Sequence, residues 1–109
     1  MTDSTADNAV RVCGIDEVRG EGALCARLPR GVLVAIARLA DGTIAAFENV
    51  CPHMKGPLGE GKIRNGVVAC PWHGFRFDVR TGNADGLDSI MQLRTFKTEV
   101  RDRQVFVLI

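Results

Sequence analysis

Short hydrophobic runs separated by turn-forming residues extend from residue 10 to the end of the chain. The longest run, residues 32–39, is nearly unbroken and contains β-branched side chains, which favours a strand covered on both faces over a helix. Residues 14–18 fit a single helical turn. The same pattern predicts strands over residues 10–13, 23–28, 32–39, 43–47, 62–64, 67–69, 75–79, 93–100 and 104–109.

Two dipeptides that favour tight turns lie between predicted strands. They are Asp41-Gly42 and Asn65-Gly66, and both are typical of β-hairpins because their residues accept positive φ angles. Strands of this length, joined by turns this close together, predict an all-β fold, either an antiparallel sandwich or a barrel.

Composition and charge narrow the class of protein. The chain has 109 residues, a hydrophobic fraction of 46% and a net charge of +1. These values predict one domain over residues 9–109, after a disordered polar tail at residues 1–8. They give no reason to expect nucleic acid or a membrane as a partner. The start lacks the features of a signal peptide, so we expect a cytoplasmic protein in which Cys13 and Cys25 are buried thiols rather than a disulfide.

Candidate chemistry is concentrated in two short motifs, Cys51-Pro52-His53 and Cys70-Pro71-Trp72-His73, which contain both His of the chain. Thiolates and imidazoles together are typical metal ligands. Alternate residues of a strand point to opposite faces, so Cys and His can converge only if each motif forms a loop. The prolines favour such loops because they fix φ and lack an N–H donor. The sequence therefore predicts a metal site built by two loops.

Two metal centres fit this donor set. A structural zinc ion bound by two Cys and two His is one candidate. Zinc fingers usually pair Cys with Cys and His with His in sequence, whereas each motif here contributes one of each. The mixed arrangement suits a two-iron cluster with two Cys on one iron and two His on the other.

The two motifs, together with Phe77-Asp78 and Thr81-Gly82, resemble the pattern of the Rieske family. The resemblance covers about residues 9–109 and is strongest over residues 47–82, which we expect to form a cluster-binding subdomain. It implies a Rieske-type antiparallel β sandwich or barrel that binds one 2Fe-2S cluster per chain. It also implies that Cys51 and Cys70 bind one iron and that His53 and His73 bind the other.

The residues around the motifs bear on the redox potential, which spans about −150 to +300 mV for clusters of this ligation. High-potential members of the family carry hydroxyl side chains at positions where this chain has Phe75 and Phe77. They also carry a disulfide at positions that correspond here to Gly56 and Trp72. Both differences predict a potential near the bottom of the range, at about −150 mV.

Four protein ligands leave no open iron position, and no further His is present for a mononuclear iron site. The resemblance therefore implies an electron carrier rather than a catalyst. It implies the ferredoxin component of a multicomponent ring-hydroxylating dioxygenase in aromatic hydrocarbon catabolism. Such a carrier accepts electrons from a flavin-dependent NAD(P)H ferredoxin reductase and passes them to a terminal oxygenase.

Two other functions remain open from the sequence: a small Rieske subunit of another redox enzyme, such as a nitrite reductase, and a zinc-stabilised binding module. For the electron carrier we expect weak docking through the tip of the two loops. This predicted tip consists of His53, Met54, Lys55, Pro57, Trp72 and His73, and Trp72 is expected to be exposed.

Overall fold

The structure is a computed structural model that describes residues 9–20, 22–52, 55–72, 74–84 and 92–109. The predicted tail at residues 1–8 lies outside the described residues. So do Met54 and both predicted histidine ligands, His53 and His73.

The described part of the chain folds into nine strands and three single-turn 3-10 helices, which confirms the predicted all-β class. The strands are β1 (Ala9–Gly14), β2 (Leu24–Arg27), β3 (Leu33–Arg38), β4 (Ile44–Glu48), β5 (Ile63–Arg64), β6 (Val67–Ala69), β7 (Arg76–Asp78), β8 (Thr95–Arg101) and β9 (Gln104–Leu108). The 3-10 helices are Ile15–Glu17, Pro29–Gly31 and Leu58–Glu60. Among the residues described, no helix has the length and apolar character needed to cross a membrane.

The strands form two antiparallel sheets. A six-stranded sheet has the order β1-β9-β8-β4-β3-β2, and a three-stranded sheet has the order β5-β6-β7. The predicted hairpin at Asn65-Gly66 joins β5 to β6, and both of its residues have positive φ. This hairpin belongs to the three-stranded sheet, in which β5 and β6 lie between the two predicted ligand loops in the sequence and β7 follows the second loop.

Strand β3 is covered on both faces, as its unbroken apolar sequence predicts. Val34 and Ile36 pack on one side with residues of β9, including Val107. Ala35 and Ala37 pack on the other side, in a second buried cluster that contains residues of the three-stranded sheet. The large sheet therefore buries two cores. In one, its own strands pack against each other, and in the other, β3 and β4 pack against the small sheet.

The second core determines where the ligand loops lie. Phe47 at the end of β4 and Phe77 of β7 are both fully buried in it, with small Ala side chains of β3 and β4 between the sheets. Small side chains allow two sheets to approach closely, and large ones fill the space that remains. Because β4 leads into the first loop and β6 into the second, packing of the sheets brings the starts of both loops to one core.

The two cysteines outside the motifs differ from each other. Both are free thiols. Cys13 is buried at 2% exposure, as expected. The expectation that Cys25 is buried is wrong, because it lies on the edge strand β2, where it is exposed. An edge strand has no neighbour on one side to cover its residues.

Candidate metal centre

The first ligand loop is a closed turn that begins at Cys51. The N–H of Cys51 donates to the carbonyl oxygen of Gly56 at 2.9 Å, and the N–H of Lys55 donates to the carbonyl oxygen of Cys51 at 2.7 Å. Lys55 has a φ of 61°, in the left-handed region that non-glycine residues rarely adopt. These bonds fix both ends of the segment that contains Pro52 and His53.

The second loop repeats this design. The N–H of Cys70 donates to the carbonyl oxygen of Phe75 at 2.7 Å, and the N–H of Gly74 donates to the carbonyl oxygen of Cys70 at 2.9 Å. Gly74, four residues after the cysteine like Lys55, also has a positive φ, of 75°. Each cysteine thus begins a turn that is closed by the same pattern of backbone hydrogen bonds.

The structure brings both predicted cysteine ligands into one buried cluster, where Leu58 and Phe77 accompany them. Cys51 is 0% and Cys70 2% exposed, and neither forms a disulfide. A buried thiolate is costly in apolar surroundings unless a cation binds it. Two such sulfurs in one cluster are therefore a donor set that suits a metal centre. The predicted ligands His53 and His73 lie outside the described residues, within the two turns in sequence.

Trp72 contacts the first loop from the second. A Cβ atom built on Gly56 would lie 2.9 Å from Cδ2 of the indole and 3.1 Å from its Cγ and Cε3. The ring therefore rests against the backbone of Gly56, and only glycine leaves room for it there. Trp72 is nevertheless 58% exposed, which confirms the predicted exposure. One part of the indole joins the loops while the rest faces solvent.

Asn49, Gly59 and Gly61 support the two loops, and sequence reasoning did not identify Asn49. The side chain of Asn49 accepts a hydrogen bond from the N–H of Gly59 at 2.6 Å. A Cβ on Gly61 would lie 1.8 Å from the carbonyl oxygen of Ala69, so the segment before β5 touches the backbone directly before Cys70. The sequence contains Gly59 and Gly61 as visible signals, but nothing in it indicates which backbone each glycine approaches.

Cys25 lies next to Gly59, one of the residues that support the loops. A Cβ on Gly59 would lie 2.6 Å from the Cys25 sulfur, so the thiol points toward the 3-10 helix although the residue as a whole is exposed. Burial of the sulfur raises the pKa of the Cys25 thiol, and the negative charge of Glu60 raises it further. The thiol is therefore poorly suited to act as an additional thiolate ligand at neutral pH.

Comparisons with known proteins agree with this geometry. The family model for the Rieske [2Fe-2S] domain matches residues 8–97. The ferredoxin component of the p-cumate 2,3-dioxygenase system of Pseudomonas putida is 34% identical over 90% of this chain and 83% of its own. The ferredoxin component of biphenyl 2,3-dioxygenase of Rhodococcus jostii is 36% identical over 61% of this chain and 62% of its own.

Solved structures show the same similarity. The ferredoxin of carbazole 1,9a-dioxygenase from Nocardioides aromaticivorans superposes with a TM-score of 0.83 at 27% identity, over 93% of this chain and 97% of that one. Chains described as nitrite reductase small subunits match at 24% and 22% identity, which shows a shared fold alone. With a family model that covers most of its length, this chain belongs to the Rieske [2Fe-2S] domain family.

Proposed function

We propose that this chain is the ferredoxin component of an aromatic-ring dioxygenase system. It carries one electron at a time from a flavin-dependent NAD(P)H reductase to a terminal oxygenase. The observation that carries the proposal is the pair of buried cysteines, neither of them in a disulfide, on two turns of the same design. Relatives named as ferredoxin components of dioxygenase systems support the choice of partners. We also propose that the protein acts in the cytoplasm.

In this proposal, Cys51 and Cys70 hold one iron and His53 and His73 hold the other. The 2Fe-2S cluster, when bound, supplies reversible one-electron reduction. The chain supplies the surroundings. Leu58 and Phe77 help to exclude water from the cysteine side because both are completely buried in the same core cluster as the two cysteines. The closed turns hold the backbone on both sides of each histidine.

The side chains around Cys70 support a low potential. Hydrogen bonds to cluster and cysteine sulfurs stabilise the reduced form and raise the potential. Phe75 packs against the core that contains Cys70, and Phe77 is fully buried in it. Neither carries a hydroxyl that could donate such a bond. We therefore expect a midpoint at about −150 mV, at the lower end of the Rieske range.

Two alternatives differ from this proposal in measurable ways. A zinc-stabilised binding module would be colourless and silent in electron paramagnetic resonance. A subunit of a nitrite reductase would bind the same cluster but would transfer electrons only within that enzyme. No specific observation favours either alternative, whereas similarity to dioxygenase ferredoxins extends over most of the chain.

The test is reconstitution. The purified protein, reduced through a candidate flavin reductase and NAD(P)H, should support turnover by a terminal oxygenase from the same genome. Cys70→Ser should abolish the red-brown colour and the transfer, whereas Cys25→Ser should change neither, since Cys25 is an exposed residue outside the ligand loops. A colourless wild-type protein that contains zinc would refute the proposal.

A further inference from the structure

The 3-10 helix Leu58–Glu60 is connected to the first ligand loop through one carbonyl group. The carbonyl oxygen of Gly56 accepts hydrogen bonds from the N–H groups of Cys51 and Leu58, both at 2.9 Å. Leu58 is the first residue of the helix, and it is completely buried in the core cluster that contains Cys51 and Cys70. The start of the helix is therefore fixed to the backbone of the first cysteine.

The end of the same helix is connected to the second ligand loop. The N–H of Gly61 donates to the carbonyl oxygen of Leu58 at 3.0 Å. Gly61 also lies so close to Ala69 that an added Cβ would overlap the Ala69 carbonyl oxygen. Because Ala69 directly precedes Cys70, a displacement of this helix reaches the backbone at both cysteines.

Asn49 holds the middle of the helix. Its side-chain oxygen accepts a hydrogen bond from the N–H of Gly59 at 2.6 Å. Its own backbone N–H donates to the carbonyl oxygen of Leu33, the first residue of β3, at 2.9 Å. The side chain of Asn49 thus fastens the helix to the large sheet. Gly59 is buried, so the loss of this acceptor leaves its N–H without a hydrogen bond, which is costly.

The other close neighbours of Gly59 cannot replace this bond. A Cβ built on Gly59 would lie 2.6 Å from the sulfur of Cys25 and 3.0 Å from the Cβ of Ala35. A methyl carbon accepts no hydrogen bond, and a thiol sulfur is a weak acceptor. These two contacts limit how closely the helix approaches, whereas the oxygen of Asn49 also fixes its orientation.

The corresponding position of the second loop differs in chemistry. Val68 lies two residues before Cys70, as Asn49 lies two residues before Cys51. Val68 is fully buried, and its side chain has no hydrogen-bond acceptor. An apolar residue therefore satisfies the packing at this position of a ligand loop. This comparison indicates that Asn49 serves the hydrogen bond to the helix rather than the filling of space.

We infer that Asn49 is a positioning residue for the cluster. Through Gly59 it holds Leu58 in the core that contains the two cysteines, and it so limits the access of water to the iron that they bind. This inference rests on the proposed function, because it concerns the surroundings of the proposed 2Fe-2S cluster. Reduction adds one negative charge to the cluster, and water stabilises that charge better than buried hydrocarbon side chains do. Asn49 therefore helps to keep the potential low.

The test uses two substitutions of Asn49 and one matched control. Asn49→Ala removes the acceptor, whereas Asn49→Asp keeps an oxygen that can accept the N–H of Gly59. The control is Asn83→Ala. The side chain of Asn83 also accepts a hydrogen bond, from Gln92 at 2.9 Å, but this bond is exposed and does not involve the helix. The control thus removes the same atoms without uncovering a buried N–H.

The first readout is the rate at which an iron chelator bleaches the visible absorbance. Asn49→Ala should bleach roughly tenfold faster than the wild type, because it leaves a buried N–H unpaired. Asn49→Asp and Asn83→Ala should bleach at nearly the rate of the wild type. If Asn49→Ala alone fails to assemble coloured protein, this loss is the extreme form of the expected effect. Equal rates for Asn49→Ala and the control, or loss of colour in Asn49→Asp as well, would overturn the inference.

The second readout is the midpoint potential, which a purely structural role would leave unchanged in the intact cluster. Asn49→Ala should have a higher midpoint than the wild type, because water then reaches the cluster more easily, and Asn83→Ala should not. If Asn49→Ala assembles no cluster, Asn49→Ser takes its place, since its shorter side chain leaves a gap that water can enter. Asn49→Asp is not compared here, because its charge shifts the potential independently. An unchanged or lower midpoint in the neutral Asn49 variant contradicts the inferred role.

Failure of this inference differs from failure of the proposed function. If the wild type transfers electrons to the terminal oxygenase while Asn49→Ala matches Asn83→Ala in both readouts, only the role of Asn49 is wrong. If the Asn49 variants differ as expected but no terminal oxygenase accepts electrons, the proposed function is wrong and the role of Asn49 stands.

Discussion

The contact between Trp72 and Gly56 predicts a strong energetic coupling between the two ligand loops. Trp72 is 58% exposed, so about two fifths of its surface is covered. For a side chain that can bury ~250 Å², this corresponds to ~100 Å² and, at the lower coefficient of ~20 cal/mol per Å² because the indole N–H is polar, to about 2 kcal/mol of hydrophobic stabilisation. We therefore expect Trp72→Ala to weaken the association of the loops by about 2 kcal/mol.

Gly56→Ala should weaken the same contact from the other side. The added Cβ would lie 2.9–3.1 Å from three atoms of the indole, whereas carbon atoms in contact prefer about 3.5–4.0 Å. The ring must move, and overpacking of this kind costs about 1–3 kcal/mol. Gly56 has no positive φ, so its backbone accepts alanine and the loss arises from the ring alone.

The double variant distinguishes a direct contact from two unrelated perturbations. Once Trp72→Ala has removed the indole, the methyl group at position 56 occupies vacated space, so Gly56→Ala should cost almost nothing further. The two changes should therefore be non-additive by about 1–2 kcal/mol. Effects that add to within about 0.5 kcal/mol would refute the reasoning, because residues that do not interact behave in that way.

The assay follows the visible absorbance of the holoprotein in denaturant, since cluster loss makes unfolding irreversible and stability is then a rate. If the contact breaks before the rate-limiting step, a loss of ~2 kcal/mol in loop association corresponds to roughly 30-fold faster bleaching.

The chain contains one Trp, so its fluorescence reports on this contact alone. Gly56→Ala should shift the emission of Trp72, whereas Gly22→Ala, at a position with open space around it, should not.

Four further predictions follow from single features of the structure. Gly74→Ala should destabilise the second loop by about 1 kcal/mol, because its φ is positive although the space around it is open, and thermal melting would detect this. Gly61→Ala should prevent assembly of the cluster site, because the new methyl group would overlap a backbone oxygen; the yield of coloured protein measures this. Labelling of Cys25 in the holoprotein should be slow at pH 8 and accelerate above the ordinary thiol pKa of 9.0, because the raised pKa keeps the thiol protonated. Chelation of the iron should accelerate hydrogen exchange in β5–β7 much more than in β8 and β9, because β5 and β6 connect the two ligand loops and β7 follows the second one.

Each of these predictions has a control or a contradicting outcome. Gly22→Ala, at another glycine with open space around it, is the control for Gly74→Ala, and equal melting temperatures would show that the turn tolerates a side chain. Normal colour in Gly61→Ala would mean that the backbone approach is not needed. Fast labelling of Cys25 at pH 7 would show that its sulfur is not covered. Uniform exchange after chelation would show that the two sheets do not depend differently on the metal.

Much of the fold could be predicted because local signals and burial agree along most of the chain. The unbroken run over residues 32–39 became β3, buried on both faces, and Asn65-Gly66 formed the hairpin that its positive φ values allow. Cys25 shows where this reasoning ends. Cys25 is predicted to be a buried thiol, but it lies on an edge strand, and the order of strands in a sheet is not encoded by any local pattern.

The candidate site was predictable in its chemistry but not in its support. Ligand types and spacing indicated Cys51 and Cys70, and the structure places both in one core. The contact of Trp72 with Gly56 and the hydrogen bond from Gly59 to Asn49 join residues that are distant in sequence. Each depends on how the small sheet packs against the large one. A glycine in the sequence indicates that something approaches closely, but it does not identify the neighbour.

The two ligand loops follow strands of different sheets, so metal binding and the packing of the two sheets against each other are coupled. Cys51 follows β4 of the large sheet, whereas Cys70 follows β6 of the small one. The small sheet is too short to be stable alone, since its strands contain two or three residues. It is held by the shared core around Phe47 and Phe77, by the contact between the loops and, when bound, by the cluster. A group bound by one sulfur from each sheet therefore joins the sheets directly, and the packing that buries both sulfurs favours its binding in return.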